Sequence, residues 1–496
     1  MPHDTPHREV LQRIARVVML QRGLLPDFPP EALAELAGLQ RRPPPIPSTA
    51  LDLTSLLWAS IDNDATLDLD QLTAAQPLPG GLVKILVAVA DVDSAVRPGT
   101  ALDGHARGNA TSVYTAAALF PMLPSGLSTG LTSLNPGEDR LAIVVAMDLD
   151  PEGSIQASDL CLARVRNRAK LAYDSVAAWL EGRGDLPSAV ADVAGLDANL
   201  RLQDEAAQRL RKFRHEHGAL TLETTEVKPV FAGDQIHGMA VDEGNRAKAI
   251  IEDFMIAANG VTARFQSDHK LPSLRRVVRS PKRWNRIVEL AAEAGCTLPA
   301  EPDPKALEGF LLQRKAAEPQ RFAELSLSIV KLLGPGEYVA LSPGDLSPGH
   351  FGLAMKDYTH STAPNRRYTD LVTQRLVKAA LAAEPCPFML EELGALARHC
   401  TLAEDAAAKV ERQVAKSAAA LFLASRIGEI FEGVVTGASP KGTWVRLLDA
   451  HVEGRLVEGF QGLDVGARVR ARLVKVDVER GFIDLNAAPD RMLTHS

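Results

Sequence analysis

Two apolar segments restrict the fold of this chain more than any other feature of the sequence. LVKILVAVADV (82 to 92) and LAIVVAMDL (141 to 149) are nearly free of polar residues, which is the pattern of buried strands. Segments with apolar residues at helical spacing follow at 189 to 215, 246 to 266 and 366 to 384. Because strands and helices mix along the chain, we predict a large α+β domain.

Three domains are predicted, because 496 residues are too many for one hydrophobic core. Residues 1–45 carry two short helical patterns and should form a small helical unit. A helix-turn-helix also fits them, although helical pairs are common. The Pro-rich run at 41 to 47 follows as an extended linker. The α+β domain is placed at 48–425. Residues 427–488 alternate apolar and polar residues in short runs with Gly between them, which predicts a small antiparallel β-barrel.

Composition excludes several classes of protein. No apolar run reaches the ~18 residues that a membrane helix needs, and the first residues lack the pattern of a signal peptide, so we expect a cytoplasmic protein that does not bind membranes. The four cysteines are widely spaced, without a zinc or redox motif. A net charge of −7 argues against a general nucleic-acid coat, yet several basic stretches together favour a polyanionic ligand.

Aspartates are concentrated in the segment SIDNDATLDLDQL (60 to 72). Asp62, Asp64, Asp68 and Asp70 repel one another, so their proximity costs free energy unless a cation or hydrogen-bond donors neutralise them. In a strand, Asp68 and Asp70 would project from the same face. Such oxygen ligands suit Mg²⁺ or Mn²⁺, which keep several waters and take further ligands from phosphate oxygens.

The residue types of this segment also occur in two other acidic motifs, an EF-hand loop and a capping turn. An EF-hand loop counted from Asp62 would place Leu67 where Gly is required and Thr73 where Glu is required, so the segment is not an EF-hand. An Asp-rich turn that caps strands and helices remains equally compatible with the residues alone.

Six segments, in one order along the chain, resemble the motifs of the ribonuclease II family of 3′-to-5′ exoribonucleases. They are SIDNDATLDLDQL with the VAVADV that follows, RGNATSVY (107 to 114), AKLAYDSVAAWLEG (169 to 182), IIEDFMIAAN (250 to 259), HFGLAMKDYTHSTAPNRRYTD (350 to 370) and VERQVAKS (410 to 417). The terminal barrel resembles the OB-fold RNA-binding domain of that family. The resemblance implies a catalytic domain that degrades RNA, entering 3′ end first, to nucleoside 5′-monophosphates with Mg²⁺, or with Mn²⁺ as the alternative.

The resemblance also implies roles for individual residues. Asp62, Asp68 and Asp70 would be the metal ligands, with Asp70 the most sensitive, and Arg366 would contact the scissile phosphate. A guanidinium can hold two phosphate oxygens and offset the charge gained in the transition state. Arg367 would either contact RNA or stabilise the fold.

Four further residues match family positions that contact RNA or line the active site. Tyr114 would stack on a terminal base, which suits an enzyme that must accept every base. Tyr173 and Glu252 would read the ribose and so separate RNA from DNA. Glu411, in the last of the six segments, would be a further active-site carboxylate. In the barrel, Trp444 is placed to stack on a base.

Two departures from the family pattern bear on function. Gln71 stands where the family motif has a second aspartate, and an amide brings no charge, so a second cation would bind more weakly. Two cold-shock-like domains commonly precede the catalytic domain, whereas here a short helical segment does. We hypothesise that the RNA entrance is more open and admits structured RNA with a 3′ overhang.

We expect the protein to be a monomer. Two other functions are compatible with the sequence. One is an RNA-binding protein of the same fold that has lost turnover through Gln71. The other is a metal-dependent phosphodiesterase acting on DNA, which Tyr173 and Glu252 disfavour. Clustered carboxylates repel phosphate, which argues against a protein that only binds RNA.

Overall fold

A computed structural model describes residues 6–223, 226–242, 244–439, 442–463 and 467–488. The helices of these residues are α1 His7–Gln21, α2 Pro30–Arg41, α3 Ala101–Asn109, α4 Tyr173–Leu180, α5 Ser188–Ala191, α6 Leu196–Glu216, α7 Arg246–Asp268, α8 Trp284–Glu293, α9 Pro304–Ala317, α10 Phe322–Leu333, α11 Tyr368–Leu381 and α12 Leu390–Leu423.

The strands are β1 Leu51–Asp52, β2 Ala59–Asp62, β3 Gln71–Pro77, β4 Val83–Ala90, β5 Val113–Tyr114, β6 Leu119–Phe120, β7 Asp139–Leu149, β8 Ile155–Arg166, β9 Ala169–Ala172, β10 Glu226–Ala232, β11 Gln235–Asp242, β12 Ser273–Val277, β13 Glu337–Leu341, β14 Ile430–Ser439, β15 Gly442–Leu447, β16 Val452–Glu458, β17 Arg468–Asp477 and β18 Phe482–Ala487. The α+β class predicted from the sequence is confirmed.

A seven-stranded mixed sheet forms the centre of the large domain, in the order β1-β8-β7-β4-β3-β2-β9. Its outer pairs, β1 with β8 and β2 with β9, are parallel, and the inner pairs are antiparallel. The two apolar segments at 82 to 92 and 141 to 149 form the neighbouring central strands β4 and β7.

Strand β4 is apolar throughout because both of its faces are covered. Ile85, Val87 and Val89 join a cluster with α6 and α7, whereas Leu86 and Ala88 join the main core on the opposite face. A strand covered on both faces cannot alternate apolar and polar residues. The predicted helices at 189–215, 246–266 and 366–384 correspond to α6, with the short α5 before it, and to α7 and α11.

The C-terminal strands close into a barrel in the order β14-β15-β16-β18-β17. Thr443, Val445 and Leu447 point into the barrel, while Trp444 and Arg446 alternate outward. The expectation of an entirely antiparallel barrel is wrong in one pair, because β16 runs parallel to β18. That parallel pair closes the barrel, and hairpin signals in a sequence indicate only neighbouring antiparallel strands.

The N-terminal helices are packed into the main core. Leu11 and Ile14 of α1 are buried in the same cluster as α12 and the barrel interior. Helix α1 packs mainly on α12, and α2 packs on α3. A helix-turn-helix would pair the two helices with each other, and these helices instead find separate partners. The boundary at residue 45 stays a prediction. Within the described parts of the chain, no helix is both long and apolar enough to cross a bilayer.

Candidate active site

The first aspartate lies where two parallel strands end together. Asp62 is the last residue of β2, and its partner across the parallel pair is Ala172, the last residue of β9. Tyr173 follows at once as the first residue of α4. The shared strand end therefore brings Asp62 and Tyr173 to the same edge of the sheet, although 110 positions separate them in the chain.

Asp68 and Asp70 lie just before β3 and not within a strand. The expectation that they project from one face of a strand is therefore corrected. The backbone around them is nevertheless held in place: the Asp70 carbonyl accepts from the Ala90 amide at 2.9 Å, and the Leu69 carbonyl accepts from the Leu134 amide at 3.0 Å. Asp70 is 2% exposed. Its Oδ1 accepts a hydrogen bond from the Asn365 amide at 3.0 Å.

Arg366 reaches Asp70 from the loop before α11. Its Nε lies 3.4 Å from Asp70 Oδ2, and 41% of its side chain stays exposed. The loop itself is fixed by Asp370, which accepts from the Ala363 amide and forms a two-point ion pair with Arg367. Arg367 is thus held in the fold by a buried partner, while Arg366 has free guanidinium surface for a ligand.

Five acidic groups, three carboxyls and two phenols, have Arg366 as a charged neighbour. Burial raises the pKa of Asp70 to about 7 and that of Asp62 to about 6, and the nearby charge of Asp68 adds to both rises. Burial also raises the pKa of Asp68 and of the two phenols, Tyr114 and Tyr173. In every case Arg366 opposes the rise. These groups therefore face one common space, which lacks enough positive charge for its carboxylates.

Tyr114 and Glu411 border this space. The Tyr114 hydroxyl donates to Asp68 Oδ2 at 3.4 Å, and the residue is 45% exposed. Its backbone amide donates to Glu411 Oε1 of α12 at 2.8 Å. Glu411 therefore anchors the strand that carries Tyr114, and the exposed aromatic surface is open to a planar ligand.

Gln71 makes a contact that its family counterpart could not. Its side-chain amide donates to the Thr362 carbonyl, in the loop that carries Arg366. A carboxylate has no proton to donate at neutral pH. The amide therefore joins the start of β3 to the loop across 291 positions of sequence.

Three residues named from the sequence do not join the group around Arg366. Glu252 faces Arg211 of α6, at 3.6 Å. Trp444 lies on the outer surface of the barrel, opposite Arg455. Asp64 accepts from the Lys170 ammonium through its backbone carbonyl at 2.9 Å.

Sequence reasoning missed two residues that shape the site, Asn365 and Asp370. The backbone amide of Asn365 donates to Asp70 Oδ1. The side-chain Oδ1 of Asn365 accepts a hydrogen bond from the Thr132 hydroxyl at 2.6 Å. Asp370 holds the Arg366 loop. The spacing of Arg367 and Asp370 at i and i+3 on a helix start was the available signal for that ion pair.

The negative charge of Asp62, Asp68 and Asp70 suits a divalent cation, although the three side chains do not form a complete set of metal ligands. Among the residues that the structure describes, no three acidic, histidine or cysteine side chains converge as a metal-binding group. Asp70 Oδ2 is buried without a hydrogen-bond donor. A cation that takes most of its ligands from water and phosphate needs only one or two such carboxylates.

Comparison with family models agrees with this geometry. Residues 50–383 match the RNB domain, and residues 429–488 match the RNase II-type exonuclease C-terminal S1 domain. The chain therefore belongs to the ribonuclease II family.

Within that family, the chain is similar to proteins named ribonuclease R. It is 32% identical to that of Escherichia coli over 455 residues, which cover 88% of this chain and 55% of that protein. It is 30% identical to that of Vibrio parahaemolyticus over 419 residues, covering 82% of this chain and 49% of that protein. The chain thus spans about half the length of the curated relatives it matches.

Solved structures share the fold. The apo form of Mycoplasma genitalium RNase R superposes with a TM-score of 0.84 at 22% identity, covering 96% of this chain and 78% of that one. That protein has also been solved with single-stranded and with double-stranded RNA. Yeast Ssd1, described as a pseudonuclease, superposes with a TM-score of 0.70 at 16% identity, covering 94% of this chain and 58% of that one. The fold therefore occurs with and without nuclease activity, and the site must decide the function.

Proposed function

We propose that this protein is a 3′-to-5′ exoribonuclease that hydrolyses single-stranded RNA to nucleoside 5′-monophosphates. The observation that carries the proposal is the group of half-buried and buried carboxylates around Arg366, whose pKa values are raised because burial outweighs the one nearby guanidinium charge. Carboxylates with so few cations beside them can bind a divalent cation, which in turn binds a phosphate of the substrate.

Asp62, Asp68 and Asp70 would hold the divalent cation, Mg²⁺ or Mn²⁺, which when bound supplies a polarised water and neutralises charge on the phosphate. Arg366 has one edge against Asp70 and the remainder exposed, so it can orient a phosphate beside the carboxylates. Its positive charge is already in place when negative charge develops on the phosphate oxygens. The Asn365 amide and Gln71 hold Asp70 and the Arg366 loop at a constant separation.

Two aromatic residues would place the 3′ end of the RNA. Tyr114 offers half-exposed ring surface beside Asp68, and a base can stack there whatever its identity. Tyr173 lies next to Asp62, where a ribose hydroxyl of the terminal nucleotide could meet its phenol. Glu252 would need to leave Arg211 to read the same ribose.

The direct test is a time course on 5′-labelled single-stranded RNA with Mg²⁺, with Asp70→Asn beside the wild type. The proposal expects a ladder that collapses to one short fragment, at least about a thousandfold slower in the variant. A DNA of identical sequence should resist. A duplex with a short 3′ overhang tests whether structured RNA is degraded, and stalling at the junction would argue against that extension.

A catalytically inert RNA-binding protein is the second candidate, and Gln71 is the observation that favours it. Its amide is committed to the Thr362 carbonyl and brings no negative charge to the cation. Intact RNA that is nevertheless bound, by wild type and Asp70→Asn alike, would support this candidate and overturn the nuclease.

A further inference from the structure

A basic recess lies where the N-terminal helix, the long helix α12 and the barrel meet, away from the group around Arg366. The cavity measures about 360 Å³. Its lining residues are Arg22 at the end of α1, Lys409, Arg412, Gln413 and Lys416 of α12, and Arg480 and Phe482 of the barrel. We call this the basic recess. Five of the seven residues are cationic and none is acidic.

The α12 cations of the recess and Glu411 lie on different faces of that helix. Lys409, Arg412 and Lys416 recur at helical spacing and share one face of α12. Glu411 points toward Tyr114 and lies roughly 200° around the helix from Lys409, at 100° per residue. Arg412 lies about 100° from Glu411, so RNA bound at the recess would contact a neighbouring face of α12 and not the one that carries Glu411.

The barrel turn is seated closely against α12. Gly481 has a φ of +67°, and a Cβ there would lie 2.6 Å from the Lys416 Cβ and 2.9 Å from its backbone carbon. Gln413 donates to the Glu479 carbonyl at 3.4 Å, and Arg13 of α1 pairs with the Glu479 carboxylate. These contacts hold Arg480 and Phe482 beside the cations of α12.

Four of the five cations that line the recess lack a counter-charge among the residues that the structure describes. In the described part of the chain, Arg22, Lys409, Arg412 and Lys416 have no ion-pair partner, although surface arginines elsewhere commonly have one. Arg480 reaches Asp477 only at 4.0 Å. Like charges gathered without counter-charges repel one another, so the arrangement costs free energy until a polyanion binds.

Phe482 indicates which polyanion fits. It is 55% exposed, beside the cations and on β18, whereas Trp444 lies on β15 with β16 between the two strands. An aromatic ring next to unpaired cations is the combination that binds single-stranded nucleic acid, because the ring stacks on a base while the cations meet the phosphates. An acidic protein segment would use the cations alone.

We propose that the basic recess binds single-stranded RNA at a second site, outside the active site, through Lys409, Arg412 and Lys416 to phosphates and Phe482 to a base. The proposal rests on RNA being the substrate, as proposed above. A long RNA would then be held at two places, and a trinucleotide at the active site alone.

The test measures binding of fluorescent RNA to full-length protein in an Asp70→Asn background, so its result does not depend on turnover. Lys409→Gln, Arg412→Gln and Lys416→Gln together should weaken binding of a long single strand about tenfold and reduce the salt slope by about 2, at ~0.7 per lost phosphate contact. Trinucleotide binding should not change. The matched control combines Lys212→Gln, Arg286→Gln and Arg321→Gln, three exposed cations with acidic neighbours, and should change neither quantity.

A second variant separates stacking from charge. Phe482→Ala should weaken long RNA about tenfold and leave the salt slope unchanged. Thermal melting of every variant checks the fold. Equal effects of the recess and control triples would overturn the proposal. Competition by polyglutamate as strong as by RNA of equal charge, with no effect of Phe482→Ala, would overturn it in favour of an acidic protein partner.

Discussion

Two clusters of buried or half-buried aspartates lie close to helix α11, and they differ in how many cations the chain places beside them. The acidic pocket consists of Asp62, Asp68 and Asp70 with Arg366. The second cluster, which we call the paired network, consists of Asp91, Asp93 and Asp103 with Arg375 and Lys378.

In the paired network each carboxylate has a cation at hydrogen-bond distance. Lys378 donates to Asp91 at 2.8 Å, and Arg375 donates to Asp93 at 3.1 Å and to Asp103 at 2.8 Å. Burial favours the neutral acid at Asp93, but Lys378 and Arg375 outweigh it and lower its pKa. At Asp91, which has Lys378 as its one ion-pair partner among the described residues, burial still raises the pKa.

In the part of the chain that the structure describes, the acidic pocket has one ion pair, between Arg366 and Asp70 at 3.4 Å, and Asp70 Oδ2 lacks a hydrogen-bond donor. Burial dominates there and raises the pKa of Asp70 to about 7. The comparison teaches that buried aspartates with partners in the chain serve the fold, whereas buried aspartates short of partners indicate a ligand.

Breaking the paired network should have the largest effect on stability. Arg375→Met leaves Asp93 and Asp103 buried without their cation, so the free energy of unfolding should fall by about 3–5 kcal/mol. Urea denaturation measures the change. Arg426→Met, which removes an exposed pair with Glu429, is the control and should cost less than about 1 kcal/mol. Equal losses in both variants would remove the distinction between the clusters.

Adjacent arginines of the same loop allow a sharper comparison. Arg366→Lys keeps the charge but loses the planar fork, so turnover of RNA should fall about a hundredfold with little change in stability. Arg367→Lys should instead lower thermal stability, because Arg367 forms the two-point pair with buried Asp370. Steady-state kinetics and melting on both variants check this. A stability loss larger in Arg366→Lys would reverse the two assignments.

Gln71→Asp would make the pocket more acidic. The variant loses the donor to the Thr362 carbonyl and adds a like charge, so without divalent cations it should be less stable by about 1–2 kcal/mol at neutral pH. Gln71→Asn, which keeps an amide, is the control. If Gln71→Asp is as stable as the wild type, the hydrogen bond from Gln71 to Thr362 does not stabilise the loop that carries Arg366.

The central sheet and the acidic segment were predictable because they depend on local pattern. An unbroken apolar run specifies a strand buried on both faces, and repelling aspartates stand out in any sequence. Three features were not predictable, because each depends on a partner that only the complete fold brings close. They are the ion pair of Glu252 with Arg211, the hydrogen bond from Gln71 to Thr362, and the parallel pairing of β16 with β18. Resemblance to the family supplied Arg366, and without it an arginine on a helix start predicts only a surface ion pair.

The most direct test of the account is thermal melting across pH, with and without Mg²⁺, for the wild type and Asp70→Asn. Because the pKa of Asp70 in the fold, about 7, exceeds its ordinary value of 3.8, the folded protein holds the proton more tightly than the unfolded chain. The contribution of Asp70 to stability should therefore be largest below about pH 4 and should be lost, by about 4 kcal/mol, as the pH rises to 7. The difference in stability between the wild type and Asp70→Asn reports this contribution, because the other carboxylates titrate alike in both proteins.

Asp70→Asn should be more stable than the wild type above pH 7 without a divalent cation, and Mg²⁺ should stabilise the wild type more than the variant. Equal melting temperatures of the two proteins at all pH values, with no effect of Mg²⁺ on either, would contradict the claim that the acidic pocket is built for a cation.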